Sequence, residues 1–365
     1  MWTDYRWEYP HFPRHLLEHL DTKQFWEWDF WKHPVGAGPY RFVRYEPQTM
    51  MEFETNPDFY AGKPRIGRVI AKFVGQGGLA DLLAGNVDAI TRVDPAWIPT
   101  PAADPRFRLY HSTDYPGFAT IAWQHRDPLF RDVRVRRAMT LAINRRELAQ
   151  LQHLPEDAPL ADGPVTRRQL HRGELGEPLP YDPAQARALL DAAGWREQSC
   201  DGVRQREGVA FRFIVLATSQ QTAVYVREQL RRVGVDMTLQ IHDERQIREK
   251  MRTADFQAAI IGDSPLYNRW GLDDTNFART RGLGYLNARV VELVNRSNVT
   301  VDPAEMDRIF AELREIFREE VPATYLTPFM RTSVAHRRIR GLSSPWRTYP
   351  FRLMDELSLD DANGS

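Results

Sequence analysis

Apolar and polar positions recur with two periods along this chain, and the switches between them mark its elements. Pro13 followed by Leu16, Leu17 and Leu20 predicts a short helix from about residue 14 to 19. The aromatic run Phe25, Trp26, Trp28, Phe30, Trp31 has no clean period and reads as a surface segment packed onto a lobe. Tyr40-Arg41-Phe42-Val43-Arg44-Tyr45 leads into a turn at Glu46-Pro47-Gln48. Met51-Glu52-Phe53-Glu54 then alternates apolar with acidic residues, so a hairpin is predicted, closed by the turn residues Asn56-Pro57-Asp58. Residues 66–74 read as a further strand, and Leu79, Leu82 and Leu83 as a helix that stops at Gly85.

Prolines break the pattern between Pro95 and Pro116, after which longer units follow. Asp132 is a good N-cap for a helix with Val135, Ala138, Met139 and Ala142 on one face. Asp182-Pro183 starts another, with Ala186, Leu189, Leu190 and Ala193 inward and Gly194 beyond its end. A third carries Val226, Leu230 and Val233, ends at Gly234, and runs straight into the alternating strand 235–241. Asp302-Pro303 opens a fourth, with Met306, Ile309, Phe310, Leu313, Ile316 and Phe317 inward and Val321-Pro322 at its end. Helices and short strands alternate throughout, which is the α/β pattern.

A length of 365 residues makes two domains the natural expectation. The formal net charge is zero, which argues against nucleic acid as the main partner, since phosphate binding needs a surplus of basic side chains on one face. The positive charge is almost all arginine, spread evenly, and reads as compositional bias. Cys200 is the one cysteine, so neither an intrachain disulfide nor a thiolate metal cage can form from it. It lies in a polar stretch and reads as an incidental surface thiol. The opening residues show no signal-peptide pattern, and no stretch approaches the ~20 apolar residues of a membrane span.

Several segments together resemble the bacterial extracellular solute-binding proteins of family 5, the dipeptide, oligopeptide and nickel-binding group. His33-Pro34-Val35-Gly36-Ala37-Gly38-Pro39-Tyr40 is similar to that family's N-P-V-G-T-G-P-Y, and the segment from Asn56-Pro57-Asp58 to Gly62-Lys63-Pro64 to its N-P-D-Y-W-x-G-K-P. Asp132-Val133-Arg134-Val135-Arg136-Arg137-Ala138 through Ala142-Ile143-Asn144-Arg145 resembles its D-V-R-V-R-Q-A…A-I-D-R helix. Tyr181-Asp182-Pro183 through Ala193-Gly194-Trp195, the helix from Glu228 to Gly234 and the one ending at Pro322 fall in the family's order. The match runs from about residue 12 to Leu342. It implies a two-lobed α/β fold of the periplasmic-binding-protein type (type II), with the opening part of the first lobe missing. The lobes expected are 1–116, 117–324 and a C-terminal return over 325–365, with crossings near Tyr115–Trp123 and Thr324–Met330.

The resemblance further implies a transport protein of the cell envelope, without catalysis or cofactor. It would bind a peptide or related amine-bearing solute between its lobes and pass it to the transmembrane subunits of an ABC permease. Asp263, at the end of the Ile260–Gly262 strand, is placed to meet a ligand amine by charge-assisted hydrogen bonds, with Asp273 and Asp274 following. Trp270, Tyr115, Phe118 and Trp123 are the expected apolar walls. The family's Trp after that glycine is absent here. Two other readings stay open: a cytoplasmic ligand sensor of the same fold, and a hydrolase using the same pocket. No G-x-S-x-G, H-E-x-x-H, P-loop or C-x-x-C motif is present. His11, His15 and His19 recur at helical spacing, but Pro13 would begin the helix after His11, and no metal is expected. Gly75-Gln76-Gly77-Gly78 lacks dinucleotide-loop spacing and reads as a turn.

Overall fold

A computed structural model describes residues 13–74, 78–91, 93–112, 117–163, 165, 176–197, 201–262, 282–342, 354 and 356–360. Backbone contacts divide the chain into two units, one of residues 1–113 with 331–365 and one of residues 114–330.

The first unit holds two small sheets. In one, β1 (Tyr40–Glu46), β2 (Met50–Thr55) and β3 (Arg68–Lys72) pair antiparallel in that order. The alternation predicted for β2 sorts its side chains. Glu52 and Glu54 join a charged ladder with Arg44, Arg68 and Arg41, and Phe53 meets Phe42 edge-on at 6.0 Å. Gln48 takes the left-handed conformation in the turn (φ 59°). The two family motifs flanking this hairpin are bonded to each other: Asn56 donates its backbone N–H to Pro39 O (2.9 Å) and its side-chain amide to Gly38 O (2.9 Å). In the second sheet, β14 (Arg331–His336) lies between β4 (Ala89–Ile90) and β5 (Phe107–Ser112). Leu82, Val93, Ile98, Phe107 and Val334 form a core beside it. Residues 21–33 form two short 3-10 turns, Thr22–Glu27 and Asp29–Trp31, in which Phe25 packs edge-on against Trp28 and Trp31.

The second unit is a three-layer α/β sandwich. Its five-stranded sheet runs β11 (Asp236–Ile241), β10 (Arg212–Ala217), β12 (Ala258–Ile261), β6 (Phe118–Trp123), β13 (Ala323–Pro328). The first three are mutually parallel, and β6 opposes both of its neighbours, so β13 runs with β12. Both faces are covered, as parallel strands require. On one face Ile121, Trp123, Val215, Ala258 and Ile260 pack against the helices Val133–Leu141, Pro183–Ala192 and Gln220–Arg231. On the other, Phe118, Ala122, Leu216, Ala259 and Tyr325 meet the helices Glu244–Arg252, Ala288–Val299 and Pro303–Glu320.

The predicted starts and stops of these helices hold. The Asp132, Asp182 and Asp302 carboxylates accept from Arg134, Gln185 and Ala304 N–H groups, and Gly194 and Gly234 take positive φ past their helix ends. Gly234 is hemmed in as well, since a Cβ there would stand 2.8 Å from Arg204 Cγ and 3.0 Å from Gly202 O.

Candidate functional site

Because β10, β11, β12 and β13 share a direction, their carboxyl ends line one edge of the second unit's sheet. Open α/β sheets bind ligands outside that edge. Three chain segments converge there. Ile261-Gly262 ends β12 and leads into residues 263–281, Phe118 starts β6 opposite Pro328, and Pro328-Phe329-Met330 leaves β13 for the first unit. Phe329 donates its N–H to Gly117 O (2.9 Å), tying the start of β6 to the end of β13. Its half-buried ring lies over Gly262, where an added Cβ would come within 3.1 Å of Cζ.

Asp263, Trp270, Asp273, Asp274 and Tyr115 lie outside the described residues, as do His11 and Cys200. Phe118 and Trp123 are described, and the structure gives both a packing role. Trp123 is fully buried, tilted against Phe130 at 4.7 Å, and donates its Nε1–H to Thr324 Oγ1 (3.1 Å). Phe118 is buried on the opposite face, edge-on to Tyr325 at 5.8 Å. Phe118 thus packs beneath the carboxyl edge and Trp123 in the core near the amino edge, and neither presents surface to a ligand. Gly262, named as the end of the Ile260–Gly262 strand, does lie at that edge, and so does Phe329, which the sequence reading did not single out. The available signal was an aromatic residue directly after the Pro that ends an apolar strand.

The buried charged groups of this unit are structural. Arg136 is buried under the C-terminus of the Pro303–Glu320 helix, and its guanidinium donates to Phe130 O (2.7 Å), Arg131 O (2.9 Å), Glu320 O (2.6 Å) and Val321 O (2.9 Å). Val321 caps that helix in the left-handed conformation (φ 41°), unusual for a β-branched residue. Burial lowers the Arg136 pKa to about 10, against the raising influence of Tyr285, Glu320 and Asp132. Beside it, His125 Nε2 donates to Pro322 O (2.9 Å), so the ring is the neutral Nε2–H tautomer. Burial first, and the Arg136 charge second, push its pKa down to about 4. The Glu320 carboxylate accepts from Tyr285 and Asn287, and burial first, then that bond, raise the Tyr285 phenol pKa. This cluster closes the amino edge, because β6 ends there, with Gln124 N–H donating to Gln257 O just before β12. Arg145 is buried too. It pairs with Asp162 (2.9 Å) and donates to Ala161 O, Leu179 O and Tyr325 O. Among the described residues no group of three or more metal-ligating side chains occurs, and no helix is long and apolar enough to cross a membrane.

A three-layer α/β unit with its strand ends gathered at the crossings to a second unit defines the class of the two-lobed periplasmic binding proteins. Within it, the chain belongs to the bacterial extracellular solute-binding proteins, family 5, which it matches over residues 5–276. It is 25% identical over 340 residues to the oligopeptide-binding protein AppA of Bacillus subtilis, covering 86% of this chain and 60% of that protein. The structure of AppA in complex with a nonapeptide superposes with a TM-score of 0.68 at 22% identity, over 96% of this chain and 72% of that one. NikA of Brucella suis in complex with Fe(III)-EDTA superposes with a TM-score of 0.75 at 18% identity, over 90% and 69%. The chain thus spans about three fifths of the length of the AppA sequence.

Proposed function

We propose that this chain is the solute-binding component of an ABC transporter. It holds a peptide or related amine-bearing solute at the carboxyl edge of the second unit's sheet and delivers it to a membrane permease in the cell envelope, without chemistry of its own. The observation that carries the reading is the family match over residues 5–276, joined to the convergence of Gly117, Gly262 and Phe329 at that edge. Relatives named as peptide-binding proteins support a peptide over a metal chelate.

Asp263 follows Gly262 directly in the sequence. We assign it, with Asp273 and Asp274, to the ligand amine, and Trp270 and Tyr115 to the ligand's apolar surface. A carboxylate–ammonium hydrogen bond is worth about 1.5–3 kcal/mol, so Asp263→Asn should weaken peptide binding by about ten- to a hundredfold. Calorimetric titration with dipeptides, oligopeptides and amine-free sugars tests this. Unchanged affinity in the variant, or selective binding of an uncharged sugar, would reduce Asp263 to a turn residue and the peptide reading with it.

A further inference from the structure

We infer that Arg137, Arg314 and Arg318 form a binding site for a phosphate-class oxyanion on one flank of the Pro303–Glu320 helix, independent of the solute site at the carboxyl edge. The case starts from two buried donors. Arg314 Nη1 and Arg318 Nε are closed off from solvent and have no acceptor, and neither side chain makes an ion pair or hydrogen bond with any described residue. A buried guanidinium N–H without an acceptor is costly. One such donor can be met by a water, but two on charged groups one helical turn apart call for an anion.

The surrounding charge says the same. Arg314 and Arg318 are four residues apart, so they rise from one face of the helix with Cβ atoms about 6 Å apart, and like charges at that spacing repel. Arg137 adds a third cation from the Val133–Leu141 helix. Its Nη1 donates to Arg318 O (3.4 Å), a carbonyl left free because Pro322, four residues on, has no N–H to offer it. The acids of the long helix leave these charges unanswered. Glu305 pairs with Arg296, Glu312 with Arg289, and Glu320 accepts from Tyr285 and Asn287. Asp307 has a partner already, and Glu315 and Glu319 are exposed and pair with none of the three arginines. Arg137, Arg314 and Arg318 are half-buried, so each keeps some surface open to an arriving anion. Three planar N–H forks with no carboxylate among them fit an oxyanion of more than one negative charge, supplied as free phosphate or as the phosphate of a lipid headgroup.

The test titrates the whole chain with inorganic phosphate by calorimetry at low ionic strength, with chloride at equal ionic strength as the control. The wild type should bind phosphate saturably, and the double variant Arg314→Gln, Arg318→Gln should weaken that binding by about tenfold or more. Arg137→Gln, on a separate helix, should weaken it as well and keeps the test decisive if the double variant does not fold. Cosedimentation with vesicles of phosphatidylglycerol, set against phosphatidylcholine, separates the two sources. Retention on the anionic vesicles alone, lost in the same variants, assigns the site to a lipid headgroup; phosphate binding without retention assigns it to free phosphate. A wild type that shows neither, or a phosphate affinity equal in the wild type and the variants, overturns the site.

Discussion

Replacing Arg136 by Met removes four hydrogen bonds at once. The guanidinium is 5% exposed and serves carbonyls from two places, Phe130 and Arg131 before its own helix and Glu320 and Val321 at the end of the Pro303–Glu320 helix. With a pKa of about 10 it is charged at neutral pH despite its burial. Tyr285, Glu320 and Asp132 oppose the effect of burial on that charge. Met fills much of the volume but leaves those oxygens without donors, and Val321 without the bond that holds its left-handed backbone. Removing one side of a buried charged network typically costs about 3–5 kcal/mol. For a unit of this size that corresponds to a fall in Tm of roughly 10 °C. Arg136→Lys keeps the charge but not the planar fork, and should recover less than half of the loss. The neighbouring Arg137 makes one long bond, to Arg318 O at 3.4 Å, so Arg137→Met is the control and should cost under ~1 kcal/mol. Denaturant unfolding followed by circular dichroism reads all three. If Arg136→Met unfolds within ~1 kcal/mol of the parent, the carbonyl cluster is not what holds the helix end, and the reasoning fails.

Acid should weaken the fold through His125. Its folded pKa of about 4 lies below the ordinary 6.5, so the unfolded chain takes up a proton first, and stability drops as the pH falls from about 6.5 toward 4. Up to ~3 kcal/mol is at stake, and a His125→Gln variant should show a flatter pH dependence across that window by thermal denaturation. Asp162→Asn should cost about 3 kcal/mol, because it strands the buried Arg145 guanidinium; urea midpoints measure this, and a change below ~1 kcal/mol would show that the backbone carbonyls alone suffice. Gly234→Ala meets both a positive φ and a 2.8 Å contact with Arg204 Cγ, so a loss of about 2 kcal/mol or more is expected, against a negligible change for Gly36→Ala, where nothing lies within 4 Å.

Local chemistry made much of the fold legible. Asp-Pro pairs and terminal glycines fixed the helix ends at Asp182, Asp302, Gly194 and Gly234, because caps depend on residues adjacent in sequence. What local pattern could not reveal was pairing at a distance. Nothing local shows that β6 and β13, which fall in the segments expected as crossings, Tyr115–Trp123 and Thr324–Met330, pair side by side more than two hundred residues apart in sequence. That pairing helps to bury Trp123 and Phe118, the side chains expected, from the family resemblance, as ligand walls.

The arginines mislead in the same way. Their even spread reads as compositional bias and gives no sign that Arg136, Arg145 and Arg204 are buried, each holding backbone carbonyls from segments remote in sequence. Two of these, Arg136 and Arg145, lie within the family-like run from Asp132 to Arg145, and in the fold they tie chain segments together. Phe329 went unread because its significance depends on Gly262, which only the sheet brings beside it.

Solute binding at the carboxyl edge of the second unit's sheet is tested most directly by backbone amide shifts on titration with a peptide. The largest changes should fall on Gly117–Phe118, Ile261–Gly262, Thr327, Phe329 and Met330, with the amino-edge residues His125, Tyr285 and Val321 unmoved. Changes centred on His125 and Tyr285, or none at the three converging segments in the presence of bound peptide, would contradict it.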